Sequence, residues 1–252
     1  MTRKHLLRPL AATLFLLIAA GFRVAERPIT VYLIGDSTMA NKAVKAYPEA
    51  GWGMPFAYFF DQTVKVDNRA VNGRSTKTFI EEKRWQSVSD SLREGDYVLI
   101  QFGHNDEVKT KKSYIDEAGY QNNLVRFIEE TRAKKANPVL ITPVARRSFD
   151  AEGKIQDTHA VYSQLVRDVA AAQSVPLIDL DKRSQVLLQS MGVENSKLLY
   201  LHLAADEHPN YPAGKEDNTH FSELGARKMA QLVLADIKAL KLALAERIVK
   251  NP

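Results

Sequence analysis

The heptapeptide KEDNTHF, residues 215–221, sets an acid and a histidine three residues apart, Asp217 and His220, just before a long stretch of helical periodicity. A carboxylate and an imidazole at that spacing suit three kinds of chemistry. They can be two ligands of a metal ion, the orienting acid and the base of an acyl-transfer site, or ordinary polarity around a helix start. The pair alone does not decide, so the choice rests on what other reactive residues the chain supplies.

Three further stretches crowd polar and turn-forming residues behind apolar runs. In GDSTM, residues 35–39, Gly35 gives a tight turn and Ser37 places a hydroxyl and a backbone N–H in the first loop; a helix-capping serine is the plainer alternative. In NGRSTKTF, residues 72–79, Asn72 and Gly73 permit a backbone conformation that aims an amide outward, or form simply a turn. In FGHND, residues 102–106, Gly103, His104, Asn105 and Asp106 share one strand end; an Asx-turn accounts for the asparagine or the aspartate but not for the whole set.

Hydrolysing an ester with a serine requires a nucleophile, a histidine to take its proton, a carboxylate to orient that histidine, and donors aimed at the developing oxyanion. Ser37, His220, Asp217, and the Gly73 amide with the Asn105 side chain supply each of these. Each residue has a bland explanation by itself; the conjunction is what points to chemistry.

The elements that must position these residues read as alternating strands and helices. Apolar runs ITVYLIG (29–35), VKVDNRAV (64–71), YVLIQFG (97–103), PVLITPV (138–144) and VPLIDL (175–180) are strand-like. Between them lie helical patterns. One carries Leu124, Val125, Phe127 and Ile128 and ends before Asn137-Pro138; another carries Val161, Leu165, Val166 and Val169 on one face. After KEDNTHF, Ser222 can cap a helix whose stripe is Leu224, Met229, Leu232, Val233 and Ile237, with Asp217 and His220 in a short turn before it. Nearly all-apolar strands separated by helices predict a parallel sheet covered on both faces, an α/β/α three-layer sandwich. In such sheets ligands bind beyond the carboxyl ends of the strands, where the polar blocks fall.

The N-terminus differs from the rest. Arg3, Lys4 and Arg8 precede the apolar run LAATLFLLIAAGF of 13 residues, within whose end Ala19, Ala20 and Gly21 offer cleavage sites, which is the layout of an export leader. A membrane-spanning helix needs roughly 20 such residues, so a stable anchor is not expected. The expectation is a leader over residues 1–21, a single domain over 22–252, and a periplasmic or extracellular destination. Removing the leader takes three basic residues and no acid, so the net charge falls from +5 to +2. That leaves no basic surface on the scale nucleic-acid binding demands, and VKTKK, residues 108–112, reads as a solvated loop. The absence of cysteine excludes a disulfide framework, thiolate chemistry and a lipidated cysteine tether.

At GDST, NGRS, GHND and DNTH the chain resembles the SGNH, or GDSL, hydrolase superfamily; the four blocks keep the family's order and span Gly35 to His220. GRST, FGHND and DNTHF are most similar to rhamnogalacturonan acetylesterases, carbohydrate esterase family 12. The resemblance implies a flavodoxin-like sandwich with a five-stranded parallel sheet, no cofactor or metal, and removal of O-acetyl groups from pectin backbones. It implies Ser37 as nucleophile, His220 as base and Asp217 as its orienting partner. It also implies an oxyanion hole of the Ser37 amide, the Gly73 amide and the Asn105 side chain, with Asp36, Asn72, Arg74 and His104 in support. The first block reads GDST where the superfamily name has GDSL.

Other residues fit a carbohydrate site. Trp52 in GWGMPF either faces a sugar ring or packs beside the sheet. The segment 202–217 is rich in Pro, Asn and Gly and is placed to form a cleft wall, with His208 and Tyr211 as substrate contacts or plain loop residues. Arg74, Arg146 and Arg147 are candidates for pairing with galacturonate carboxylates. An esterase on acetylxylan or a lipid is the nearest alternative. A binuclear metallophosphoesterase needs a D-x-H near the start, a second acid shortly after its GD block, an Asn-His order in its central block and a late G-H-x-H; here residue 40 is Ala, the order is His104-Asn105, and no H-x-H occurs. A nucleophile elbow, G-x-S-x-G, is missing too. A non-catalytic sugar-binding protein on this fold is disfavoured by the intact reactive set.

Overall fold

The computed structural model describes residues 27–249; the expected leader lies outside them. Strand β1 (Ile29–Gly35) is almost entirely buried, as a central parallel strand must be when both of its faces are covered. It pairs in parallel with β2 (Val64–Asn68) on one side and β3 (Tyr97–Gln101) on the other, and β4 (Asn137–Ile141) and the short β5 (Leu177–Ile178) complete a five-stranded sheet of order β2-β1-β3-β4-β5.

Alternation along the strands divides the core into two layers. Val31, Leu33, Leu99, Val139 and Ile141 face α1 (Gly53–Phe56) and the C-terminal helices, with Trp52, Phe56, Phe221, Met229 and Val233 packed against them. Tyr32, Ile34, Val98, Ile100 and Leu140 face the opposite layer, filled by Phe79, Trp85, Leu124, Phe127 and Val166. That layer comprises α2 (Thr76–Glu81), α3 (Arg84–Ser91), α4 (Glu117–Ala133) and α5 (Ala160–Ala172). The result is the α/β/α sandwich that the strand spacing predicts.

Caps set the helix starts. Asp116 accepts from Gly119 N (2.7 Å) at the head of α4, and Ser222 from Gly225 N (3.2 Å) at the head of α7 (Glu223–Ala239). α6 (Leu180–Asn195) follows β5 and packs in the first layer. Two residues expected on buried stripes are not there: Val161 is half exposed because α5 buries Tyr162, Val166, Val169 and Ala170, and Leu224 lies in the solvent-facing first turn of α7.

The KEDNTHF segment is not a pre-helix turn. It is strand β7 (Lys215–Phe221), antiparallel to β6 (Tyr200–Leu203) in a separate two-stranded sheet, and only residues 204–214 of the expected loop remain irregular. Leu201 pairs with Asp217 but Tyr200 with Phe221, so residues 218–220 are extruded as a bulge.

Candidate active site

The winding of the sheet reverses between β1 and β3, the place where a doubly wound sheet opens a crevice at its carboxyl edge. Register does the rest. Gly35 pairs with Gln101 on β3, while Val71 N donates to Gly35 O (3.0 Å) on the β2 side, so the loops beginning at Asp36, Asn72 and Phe102 start side by side. A Cβ on Gly35 would stand 2.5 Å from Gln101 O, so the close approach of these strands requires glycine there.

Ser37 starts no helix, which removes the capping alternative. It sits in a tight turn in which Asp36 O accepts from Met39 N (3.3 Å) and Ala40 N (3.0 Å). The Asp36 carboxylate accepts from Thr38 N (2.9 Å) and Thr38 Oγ1 (2.8 Å), and Gln101 Nε2 donates to that same hydroxyl (2.7 Å). Trp52 Nε1 donates in turn to Gln101 Oε1 (2.7 Å). Trp52 is fully buried and therefore is not a sugar platform; it braces the nucleophile turn from below. The sequence held a clue to this chain, since Gln101 interrupts an otherwise apolar strand.

Ser37 Oγ lies 2.9 Å from His220 Nε2, and His220 Nδ1 lies 2.9 Å from Asp217 Oδ2. In an uninterrupted strand residues 217 and 220 would project to opposite faces; the bulge turns them onto the same side. Asp217 Oδ1 closes the bulge by accepting from Thr219 N (2.7 Å) and His220 N (2.9 Å). Burial pushes the Asp217 carboxyl up, but the His220 ring and the two backbone donors outweigh it and hold the group well below the usual carboxylate range. It is therefore a permanent anion facing the imidazole.

Consecutive arginines secure the bulge from behind. Arg147 is buried, with Nε on Ser196 Oγ (3.0 Å), Nη1 on Asn218 Oδ1 (2.9 Å), Nη2 on Val193 O, and its amide on Asn218 O (2.8 Å). Arg146 Nη1 donates to Thr219 Oγ1 (2.8 Å), and its Nη2 stands 3.7 Å from Glu107 Oε1. Neither is a free cation for a uronate: each guanidinium is spent on positioning residues 218 and 219. Arg74 likewise pairs with Glu82 (3.1 Å) and with Asn72 O (2.9 Å).

Gly73 occupies the third position of a turn closed by Arg74 N donating to Val71 O (3.2 Å), with φ +76°, and a Cβ there would touch nothing within 4 Å. Glycine is needed for the backbone conformation, not for space. Among the described residues the amides of Ser37 and Gly73 have no acceptor. Asn105 Nδ2 donates to Arg74 O (3.1 Å), tying the third strand-end to the second, and its Oδ1 accepts from Lys111 Nζ (3.3 Å). Lys111 thus touches the site, although VKTKK reads as solvated loop. The second amide hydrogen of Asn105 remains for another acceptor.

Beneath these loops His104 is buried edge-on against His159 (ring centroids 4.3 Å apart), and burial, with His159 and Arg146 adding to it, holds the His104 imidazole well below its ordinary range. His159 Nδ1 is 2.9 Å from Glu107 Oε1. Asp106 accepts from Thr76 N and Oγ1 (both 2.7 Å) and from Gly103 N (3.1 Å); burial raises its carboxyl to about 7. His208 and Tyr211 lie in loop 204–214, which docks on residues 44–47: Tyr211 Oη donates to Ala46 O (2.8 Å) and the His208 ring lies 5.4 Å from that of Tyr47. Tyr47, which sequence reasoning missed, is about half exposed on this wall. Among the described residues no three His, Asp or Glu side chains are placed to share a metal ion, and no helix is long and apolar enough to cross a membrane.

A model of the GDSL-like Lipase/Acylhydrolase family matches residues 33–228 of this chain. The chain is 43% identical over 227 residues to the rhamnogalacturonan acetylesterase RhgT of Bacillus subtilis, covering 90% of this chain and 97% of that protein. It is 36% identical to the probable rhamnogalacturonan acetylesterase YesY of the same organism, covering 88% and 98%. Among solved structures, that of Bacillus subtilis YxiM superimposes with a TM-score of 0.74 at 28% identity, over 85% of this chain and 57% of that longer one.

Proposed function

The chain belongs to the GDSL-like Lipase/Acylhydrolase family, and from that premise we propose that it is an exported serine esterase removing O-acetyl groups from a plant cell-wall polysaccharide, rhamnogalacturonan first among them. One observation carries the reading: the hydrogen-bonded chain from Ser37 Oγ through His220 to Asp217, 2.9 Å at each link, with the base's second nitrogen held by an ionised acid.

In this reading Asp217 accepts from His220 Nδ1–H, which leaves the Nε2 lone pair on Ser37 Oγ. His220 takes the hydroxyl proton as Oγ attacks the acetyl carbon. The negative charge that develops on the carbonyl oxygen is met by the free amides of Ser37 and Gly73 and by the second Nδ2 hydrogen of Asn105. His220 then passes its proton to the departing sugar oxygen, leaving an acetyl-enzyme on Ser37. A water, deprotonated by His220, attacks that ester; His220 returns the proton to Ser37 Oγ as the acyl–oxygen bond breaks, and acetate leaves. Asp36, Asn72, Arg74 and His104 act in support, by fixing the turns that carry the reacting groups.

The substrate assignment draws on the two relatives named as rhamnogalacturonan acetylesterases. A cleft of about 710 Å³ lined by Glu107, Tyr114, Glu117, Thr158 and Tyr162 opens at the same edge of the sheet and offers room for neighbouring sugar units. His208 and Tyr211, in the loop docked on residues 44–47, are assigned to substrate contact. The leader reading is part of the proposal: protein recovered outside the cytoplasm has the intact mass of a chain lacking about residues 1–21, and the full-length mass would overturn it.

The test is Ser37→Ala. Hydrolysis of a small acetyl ester is abolished while circular dichroism is unchanged, and a chelator leaves the parent untouched; full activity in the variant, or loss on chelation restored by a divalent metal, refutes the serine mechanism. Acetate release is then compared on acetylated rhamnogalacturonan, acetylated xylan and a long-chain phospholipid. Preference for either of the latter two overturns the substrate assignment while leaving the triad standing.

A further inference from the structure

Lys42 has no part in the reaction above, yet its ammonium is almost wholly removed from water. The side chain is 1% exposed, with Nζ 2.7 Å from Glu49 Oε1 and 3.0 Å from Asn72 Oδ1. Lysine is rarely buried so completely, and the desolvation of an ammonium is costly unless each of its donors is matched.

What it is paired with bears on the site. Lys42 lies five residues beyond Ser37 in the same loop. Asn72 immediately precedes Gly73 in the turn from Val71 to Arg74. Glu49 immediately precedes Ala50, whose N–H donates to Phe221 O (2.9 Å), the residue after His220. A single desolvated cation therefore joins the segment carrying the hydroxyl, the turn carrying one oxyanion amide and the backbone beside the imidazole.

The contact also fixes an orientation. An ammonium can only donate, so Asn72 must turn Oδ1 toward Lys42, which directs Nδ2 away from the cation as a donor on the exposed rim next to Gly73. The turn holding Gly73 is otherwise tied by Arg74 Nη1 on Asn72 O, by Arg74 Nε on Glu82 and by Asn105 Nδ2 on Arg74 O. Lys42 adds the side-chain tie that reaches this turn from the loop carrying Ser37.

We propose that Lys42 is a positioning residue for acyl transfer: through Asn72 it holds the Gly73 turn in register with Ser37, and Glu49 is the counter-charge that keeps it there. The proposal rests on the serine reading given above. A fully active Ser37→Ala protein removes that reading itself, whereas the Lys42 experiment asks a question only of an enzyme that already depends on Ser37.

Lys42→Met alone would leave the partly buried Glu49 carboxylate without its counter-charge, so the informative variant is the pair Lys42→Met/Glu49→Gln, which removes both charges together. It is assayed beside Lys42→Arg, Asn72→Ala and the triple variant on a small acetyl ester. A displacement of the order of 1 Å costs up to about a hundredfold in rate. We expect kcat to fall about tenfold to a hundredfold in the pair with KM within about twofold. The affinity for an alkylboronic acid, which forms a tetrahedral adduct on the serine, falls in parallel, and inhibition by the product acetate does not change. Asn72→Ala reproduces the loss, the triple variant is no worse than Asn72→Ala, and Lys42→Arg regains part of the rate. Three results overturn the proposal. They are a kcat in the pair within twofold of the parent, losses from the pair and from Asn72→Ala that simply multiply, or a deficit that vanishes when the assay is run well below the melting temperature, as a purely structural role requires.

Discussion

Asp217→Asn is the perturbation whose outcome the geometry constrains most tightly. The two carboxylate oxygens have different partners: Oδ1 accepts from the backbone N–H groups of Thr219 and His220, and Oδ2 faces His220 Nδ1. An asparagine has one acceptor oxygen, and the two backbone donors claim it, because an amide NH₂ placed there would oppose two N–H groups. The NH₂ must then face the imidazole, so Nδ1 becomes the acceptor and the ring proton moves to Nε2. An N–H, not a lone pair, now meets Ser37 Oγ across the 2.9 Å gap. A wrong tautomer of this kind costs a serine triad about 10⁴ in kcat, which at about 1.4 kcal/mol per tenfold is about 5.5 kcal/mol of transition-state stabilisation. The assay is initial-rate hydrolysis of 4-nitrophenyl acetate, with the ring tautomer of His220 read from its ¹⁵N shifts. KM stays near the parent value, since nothing in the binding walls has changed. A variant whose kcat is within about tenfold of the parent refutes the reasoning, as does an Nδ1-protonated ring.

Two further outcomes follow from the buried groups around the site. Asp106 has a folded value raised to about 7 from an ordinary value near 3.8, so between those pH values the folded chain keeps a proton that the unfolded chain has released. Its contribution is fully present below about 3.8 and is lost as pH rises through about 7. Asp106→Asn removes that titration, and thermal melts from pH 4 to 8 show the parent losing stability relative to the variant as pH rises; parallel curves refute it. Trp52→Phe deletes the donor to Gln101 Oε1 and leaves a buried acceptor unmatched, a loss of about 1–3 kcal/mol in denaturant unfolding. KM for an acetylated oligosaccharide is unchanged, whereas a raised KM at unchanged stability would return Trp52 to the substrate.

Much of the arrangement was legible because it is local. Apolar runs of strand length, separated by helical periodicity, require a covered parallel sheet, and the polar residues that close each strand then fall on one edge. Ser37, Gly73 and Asn105 were found by that logic, and the sheet delivers them together through the register of Gly35 between Val71 and Gln101. The burial of Trp52 and the duties of Arg146 and Arg147 were not legible. A tryptophan or an arginine carries the same signature on a sugar-binding wall and in a brace; only its neighbours tell the two apart.

The sequence by itself determined the strand order of events along the chain, the covered sheet, and the residue types an acyl-transfer site requires. Tertiary structure alone decided how Asp217 meets His220. The D-x-x-H spacing fits one helical turn, but pairing with Tyr200–Leu203 makes the segment a strand, and the extruded residues 218–220 bring acid and imidazole to one face. Likewise nothing in the spacing of Lys42, Glu49 and Asn72 marks them as a unit, since an ammonium becomes a tether only when the packing of separate loops strips it of water. Local periodicity is written in the order of residues, whereas register and desolvation belong to segments that meet only after the chain has folded.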